Sequence, residues 1–201
     1  MIELDAITTN IERNEDVLKK CFACLVKNGL EKTTMRTLCE ATKMSASSLY
    51  YRFESKDKIV MYASFYGLQV ITKEIFYAVA QKVGDFEGMF RVLVENVEKR
   101  KRQIRLIYQV ATSPHYGERF CENTKALASV YDNATEMVAQ HLSCSKEQLR
   151  PYVDFAMSTI RDYLLWNDKE RAKRQMFNIY KEALRISGDN NNREGYTNGE
   201  V

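Results

Sequence analysis

The sequence contains only two prolines and eight glycines among its 201 residues. Both residue types interrupt helices, so their scarcity favours long helical segments. No apolar run approaches the eighteen or so residues that a membrane-spanning helix needs, and we predict no membrane segment. The N-terminus has neither the basic nor the apolar stretch of a secretory signal. We therefore expect a cytoplasmic protein, and an odd number of five cysteines fits a compartment in which thiols stay reduced.

Residues that usually carry catalysis or metal binding are also scarce. The only two histidines, His115 and His141, do not follow a glutamate at the spacing of di-iron sites. Cys21 and Cys24 form one CxxC pair without the two further ligands that a structural zinc site needs. A glycine-rich phosphate loop is absent as well. We therefore expect no enzyme activity, no cofactor and no metal, and we predict that both cysteines pack in the core.

Apolar residues instead recur at helical spacing along almost the whole chain, which predicts an all-α fold of about nine helices. The first helix ends at Asn28 and Gly29, and Thr34, Ser45 and Ser55 are predicted N-caps of the next three. The fourth to the ninth predicted helices cover 55–82, 86–111, 116–122, 124–142, 146–166 and 169–186. We expect a DNA-binding domain at 1–54, a ligand-binding and dimerisation domain at 55–187, and a disordered tail at 188–201, where the apolar period is lost.

The stretch from Gly29 to Lys56 carries the pattern of two short helices joined by a tight turn. The second helix would expose small and hydroxyl-bearing side chains, which allow a helix to enter the major groove and to bind phosphate oxygens. Between Lys32 and Lys58 there are six cations and three anions, so this stretch alone carries the +3 net charge of the chain. A helical hairpin inside a plain bundle, with its aromatic residues in the core, is the alternative.

The residues of this stretch resemble the N-terminal domain of the TetR family of bacterial transcription regulators, from about residue 11 to residue 60. The matching positions are Gly29, Thr33, Thr34, Leu38, Ser45, Leu49, Tyr50, Phe53, Ser55 and Lys56. The resemblance implies a repressor whose helix beginning at Ser45 reads operator bases. With the side-chain chemistry above, it predicts DNA contacts from Thr34, Arg36, Ser45, Ser47, Ser48, Tyr50, Tyr51, Arg52 and Lys56.

The turn of this motif departs from the family pattern. The turn between the two helices usually has a small residue followed by glycine, whereas this chain has Thr42 and Lys43. We therefore expect Lys43 to adopt a left-handed conformation, at a cost of about 1 kcal/mol.

The last two predicted long helices carry apolar residues over a wide arc, so each has to bury a second face. The resemblance implies a homodimer through these helices, and two recognition helices suit a two-fold operator. The alternative is that both faces pack within one chain. The predicted dimer interface consists of Tyr152, Phe155, Ala156, Ile160, Tyr163, Met176, Ile179, Tyr180 and Ala183.

The resemblance also implies a small-molecule pocket after the DNA-binding domain. Its predicted aromatic lining is Tyr66, Phe90, Tyr108, Phe120, Tyr131 and Phe155. Such a lining favours an apolar or amphipathic effector, although the same residues would equally form a filled core. The basic run at 98–105 is predicted to be a solvated helix face. The remaining alternatives are a helical interaction protein without a nucleic-acid partner, and a regulator without a small-molecule effector.

Overall fold

The computed structural model describes residues 9–82, 84–123 and 128–196, and all regular secondary structure in these ranges is helical. The all-α prediction is confirmed. Residues 9–13 are helical, and the following elements are α1 (Glu15–Asn28), α2 (Met35–Thr42), α3 (Ala46–Phe53), α4 (Lys56–Ala80), α5 (Phe86–Lys99), α6 (Lys101–Thr112), α7 (Gly117–Asn123), α8 (Ala128–His141), α9 (Lys146–Trp166) and α10 (Lys169–Tyr196). No described helix is both long and apolar enough to cross a membrane.

The predicted helix starts are confirmed by side-chain hydrogen bonds to free backbone N–H groups. The Thr34 hydroxyl accepts a bond from the N–H of Thr37 at the start of α2, over 3.3 Å. The Ser45 hydroxyl accepts a bond from Ser48 N–H at the start of α3, over 3.1 Å. Each cap provides a partner for one of the four N–H groups that a helix N-terminus leaves unbonded.

Two helices differ from the predicted boundaries. The helix expected over 86–111 is divided at Arg100, whose φ of −109° and ψ of 10° leave the helical range. This break lies in the charged run, where no apolar side chain fixes one continuous stripe. The last helix continues to Tyr196, beyond the expected end at Ile186, and includes part of the segment expected to be disordered. Residues 197–201 of that segment lie outside the described residues.

The chain divides into two compact units. Unit 1 comprises Met1–Thr72 and Arg100–Ser129, and unit 2 comprises Lys73–Lys99 and Val130–Val201. The division differs from the expected domains because α6 and α7 pack with the N-terminal helices, and the unit boundary falls within α4. Because the units are defined by compactness and not by role, the functional domains at 1–54 and 55–187 stay a prediction.

The core of unit 1 contains fully buried apolar side chains from α1 to α4, and Phe65 of α4 stacks on Phe120 of α7 with ring centroids 4.6 Å apart. In unit 2 the core lies among α5, α8, α9 and α10. Phe86 of α5 packs against the rings of Phe177 and Tyr180 of α10, with centroids 5.0 and 5.4 Å apart. Each unit therefore buries an apolar core of its own.

Candidate nucleic-acid interface

Helices α2 and α3 form a helix-turn-helix whose turn has the predicted backbone strain. Lys43 ends α2 in the left-handed conformation, with φ 59° and ψ 33°, and its N–H bonds to the carbonyl of Cys39. A residue other than glycine adopts this conformation at a cost of about 1 kcal/mol. The expectation for Lys43 is confirmed, and the turn keeps its geometry without the usual glycine.

Three apolar side chains hold the two helices together. Leu38 of α2 and Leu49 of α3 are completely buried, and Phe53 at the end of α3 is 1% exposed. The buried hydroxyl of Thr42 donates to the carbonyl of Leu38 over 2.8 Å, so it is not an unsatisfied polar group. With its apolar residues turned inward, α3 leaves its other side chains to the surface.

The residues predicted to contact DNA are all accessible. Eight of the nine are exposed: Thr34, Arg36, Ser45, Ser47, Ser48, Tyr50, Tyr51 and Arg52. Tyr51 is the extreme case, with 92% of its surface exposed, which is unusual for so large an aromatic side chain. The ninth, Lys56, is half-buried, and its ammonium donates to the carbonyl of Thr33.

The hydroxyl groups at the start of α3 are ordered by one another. Ser45 Oγ lies 3.0 Å from Ser47 Oγ and 2.9 Å from Ser48 Oγ, while it also caps the helix. A hydroxyl can both donate and accept, so this trio can still donate hydrogen bonds to phosphate oxygens. The free N–H groups at the same helix end favour an anion as well.

Both candidate arginines are held by partners within the chain. Arg36 forms an i,i+4 ion pair with Glu40 over 3.1 Å, and both side chains are largely exposed. Arg52 donates from Nη1 to the side-chain oxygen of Asn14 over 3.1 Å. The sequence pattern missed Asn14 because it lies 38 residues away and belongs to no motif.

Each of the three carboxylates in the basic stretch at 32–58 has an ion-pair or hydrogen-bond partner. Glu40 pairs with Arg36, and Glu54 pairs with Lys58 over 2.7 Å. Asp57 accepts hydrogen bonds from two residues of the loop between α6 and α7, described further below. Exposed pairs of this kind contribute little to stability, but they reduce the negative charge that an approaching phosphate would meet.

The two cysteines of the CxxC pair are buried, as predicted. Burial, reinforced by the neighbouring thiols of Cys24 and Cys39, raises the pKa of Cys21 to about 12. A thiol in this state is a poor nucleophile and a poor metal ligand. Within the described ranges, no group of three histidine, cysteine, aspartate or glutamate residues could hold a metal ion.

Unit 2 contains an apolar cavity of about 120 Å³. Its walls come from the C-terminal part of α4 and from α5, α8, α9 and α10, and they include Ile75, Phe76, Val79, Met89, Leu93, Met157, Ile160, Met176 and Ile179. Tyr152 and Tyr180 supply the only hydroxyl groups among its lining residues, and none of those residues is charged.

None of the six aromatic residues predicted to line a pocket lines this cavity. Tyr66 and Phe120 are buried in unit 1, Tyr108 is half-buried there, and Phe155 is 63% exposed. Phe90 lines a separate small cavity, and Tyr131 packs edge-on against Phe76, behind the cavity wall. Pocket walls and cores share a composition, so aromatic content alone does not identify which helix face meets an unfilled space.

The predicted dimer residues are also distributed differently. Ile160, Tyr163, Met176 and Ala183 are buried inside unit 2, and Tyr152, Ala156, Ile179 and Tyr180 are half-buried and line the cavity. Of the nine residues, only Phe155 is exposed. The second apolar face of these helices is therefore largely satisfied within the chain, as the alternative reading allowed. The exposed apolar side chains of α9 and α10 are instead Phe155, Leu165, Trp166, Phe177 and Leu184.

Comparison with known proteins agrees with the geometry. Residues 17–63 match the family of bacterial regulatory proteins called the tetR family. A solved structure assigned to tetR family transcription regulators, from Shewanella sp. PV-4, is 12% identical with a TM-score of 0.51, over 87% of this chain and 95% of that chain. Another from Mesorhizobium loti MAFF303099 is 13% identical with a TM-score of 0.54, over 88% of this chain and 97% of that one.

No curated protein matches the sequence. The family match covers the whole of α2 and α3, and the two solved structures share the fold over most of the chain. The resemblance to the TetR family that the sequence indicated is confirmed at residues 17–63, and the likeness to the two solved structures shows the fold.

Proposed function

We propose that this chain is a TetR-type transcription regulator, a repressor that binds a partly palindromic operator as a homodimer and releases it when a small apolar molecule binds. The observation that carries the DNA-binding part is the exposed face of α3. It combines an ordered serine trio with Tyr50 and Tyr51, beside a stretch whose carboxylates are all engaged. A core hairpin would not leave Tyr51 92% exposed.

The experiment that tests operator binding is selection of DNA from random duplexes by the full-length protein. We expect enrichment of a partly palindromic site, because a symmetric dimer presents two recognition helices. Tyr50→Ala or Lys56→Ala should weaken binding to all sequences and flatten its salt dependence, since phosphate contacts release counterions. Arg36→Ala should relax the sequence preference, at about 1–3 kcal/mol for a lost bidentate base contact.

Selection that enriches no sequence would contradict specific operator binding. It would favour the helical interaction protein as the remaining class. Ser143→Ala, at an exposed position in the loop before α9, is a control that should leave both affinity and preference unchanged.

The homodimer is supported by the exposed apolar side chains of α9 and α10. Phe155, Leu165 and Trp166 are 63, 67 and 69% exposed, and Phe177 and Leu184 of α10 add to them. Large apolar side chains scattered singly on a surface are ordinary, but five on two adjacent helices are typical of an interface. We assign the interface to these residues and no longer to Ile160, Tyr163, Met176 and Ala183, which are buried in the chain itself.

Release by an effector is supported by the cavity of unit 2. Apolar cavities of about 150 Å³ accept molecules the size of benzene, so about 120 Å³ suits a small apolar effector without a charged group. Helix α4 begins at Lys56, a predicted phosphate contact, and its later residues Ile75, Phe76 and Val79 line the cavity. A displacement of the wall could therefore pass along one continuous helix.

Such an effector acts only if it binds the DNA-incompetent state more tightly, since equal affinity for both states shifts nothing. A change from mostly bound to mostly free operator requires a difference of about 5 kcal/mol, which two sites in a dimer can supply jointly. Effector binding and operator release can be tested with a panel of small apolar molecules, by thermal shift and by measurement of DNA release. If no member of the panel stabilises the protein, a regulator without a small-molecule effector becomes the better reading.

A further inference from the structure

A histidine and a tyrosine in the loop between α6 and α7 hold both oxygens of one carboxylate. His115 Nε2 lies 2.8 Å from Oδ2 of Asp57, and the hydroxyl of Tyr116 donates to Oδ1 over 3.0 Å. The two rings pack edge to face with centroids 4.5 Å apart. All three residues belong to unit 1, and no sequence motif relates the loop to Asp57, which lies 58 residues from His115.

Asp57 lies in the first turn of α4, directly after Lys56. The hydroxyl of Ser55 caps the same turn by accepting a bond from Lys58 N–H over 3.1 Å. This helix start is one of the places where the proposed function locates a phosphate contact. A carboxylate in the same turn carries a charge of the same sign as the phosphate, so its charge and its direction affect how well an operator phosphate is accepted there.

We propose that His115 is a positioning residue for operator binding, which holds Asp57 in place and, when protonated, neutralises its charge beside the phosphate-contacting start of α4. The inference rests on the proposed DNA binding. Neutral His115 donates one hydrogen bond to Asp57 and leaves a full negative charge in the first turn. Protonated His115 forms an ion pair with zero net charge, so affinity for operator DNA is higher when His115 is protonated than when it is neutral.

The other charged groups near this cluster do not change charge over the tested pH range, so the pH dependence of DNA binding can be assigned to His115. On α4 these are Lys56, whose charge acts on Asp57, and Lys58, which is paired with Glu54. On α7 it is Arg119, whose charge acts on Lys58. Lysine, arginine and glutamate side chains do not ordinarily change charge between about pH 5 and 8. The hydrogen bond from His115 is also the main reason that the pKa of Asp57 lies below its ordinary value, which is consistent with the coupling of the two groups.

The test is a pH profile of DNA binding at constant ionic strength, measured by fluorescence anisotropy with the selected duplex and with a random-sequence duplex. The wild-type affinity should fall by roughly threefold per subunit from pH 5.5 to pH 8, the size of one charge–charge interaction near a surface. His115→Gln keeps a donor but cannot be charged, so its profile should be flat relative to the wild type. Asp57→Asn removes the negative charge, so its affinity at pH 8 should already be at the level that the wild type reaches at low pH.

Two control variants separate positioning from titration. His141→Gln removes the other histidine, which lies in α8, and should keep the wild-type profile. Tyr116→Phe removes the bond to Oδ1 and should weaken binding at every pH without changing the shape of the profile. Equal pH dependence of the wild type and His115→Gln would overturn this inference and leave operator binding intact. Failure of the wild type to bind any duplex would overturn the proposed function and, with it, this inference.

Discussion

The ring of Phe22 occupies the space in which a side chain at Gly67 would begin. A Cβ atom placed on Gly67 of α4 would lie 2.3 Å from Cζ of Phe22 and 2.4 Å from Cε2, well inside van der Waals contact. Phe22 is on α1 and is itself only 6% exposed. The glycine therefore allows α1 to pack directly on the backbone of the long helix α4. This contact sets the distance between the two helices that flank the helix-turn-helix in the sequence.

Gly67→Ala is expected to destabilise the protein, although alanine is the better helix former. Forcing an extra methyl group into a packed core costs about 1–3 kcal/mol, and contact with three atoms of one ring lies toward the upper end. The gain in helix propensity offsets about 1 kcal/mol of this. Urea denaturation measures the difference. Combining Gly67→Ala with Phe22→Leu should restore part of the loss, and a double variant as unstable as the sum of the two single variants would argue against this contact.

Asn14 is expected to influence DNA binding through Arg52, to which it is hydrogen-bonded. Asn14→Ala removes this hydrogen bond to Arg52 and should weaken operator binding modestly, since one exposed hydrogen bond contributes about 1 kcal/mol or less. Asn14→Asp places a carboxylate against the guanidinium, so it should weaken binding further and reduce the slope of log affinity against log salt by about one unit per subunit. Binding titrations at several salt concentrations test this. A wild-type slope in Asn14→Asp would mean that Arg52 does not contact phosphate.

Dimerisation is expected to depend on the exposed apolar residues of α9 and α10. Phe155→Glu or Leu165→Glu should shift the protein to monomer without unfolding it, because these side chains are 63 and 67% exposed in the single chain. Tyr77→Glu, at a residue 61% exposed on α4, should leave the dimer intact. Sedimentation equilibrium measures the association. Trp166 is the single tryptophan and is 69% exposed, so its emission should shift to longer wavelength when a dimer that covers it dissociates.

The wild-type protein has to be a dimer for this prediction to hold. A stable wild-type monomer at micromolar concentration would exclude the interface and leave the exposed aromatic residues unexplained. Ile160→Asp, in contrast, should unfold unit 2, since Ile160 is only 9% exposed and an unpaired buried charge is costly.

Filling the cavity should stabilise unit 2 and abolish binding of small apolar molecules. Ala183 is 5% exposed and lines the cavity, so Ala183→Leu adds three carbon atoms to an unfilled apolar space. We expect a gain of about 1 kcal/mol, below the full value for buried methylene groups because of local strain. Thermal shift with and without toluene measures both effects, and Ala23→Leu on the exposed face of α1 is the matched control. An unchanged toluene response in Ala183→Leu would place the binding elsewhere.

Tyr163 is expected to stabilise unit 2 through its bond to Glu98 in a pH-dependent way. Burial and this hydrogen bond raise the pKa of Tyr163 from 10.0 to about 12. A raised folded pKa means that the contribution is fully present below pH 10 and is lost as the pH rises toward 12. Tyr163→Phe should therefore lower the free energy of unfolding by about 1 kcal/mol at pH 7. The difference from the wild type should shrink between pH 10 and 12 in urea denaturation, and a constant difference would argue against the bond.

Much of the N-terminal region could be predicted from the sequence, since the relevant interactions are local. The caps at Thr34 and Ser45 and the left-handed Lys43 follow from contacts within about one helical turn, which the residue order specifies directly. The family pattern added the role of the exposed residues on α3. Helix boundaries were less accurate where no apolar stripe or breaker marks them, as at Arg100 and beyond Ile186.

The sequence by itself therefore determined the helical fold, the helix-turn-helix and the inward positions of Leu38, Leu49 and Phe53, because helical periodicity records which side of a helix is apolar. Only the tertiary structure decided what each apolar face meets. It turned Ile160 and Met176 toward a cavity within the chain and joined Asn14 to Arg52 and His115 to Asp57, across 38 and 58 residues. Helical periodicity is a property of one helix, whereas the contact partner of a side chain depends on how several helices pack together.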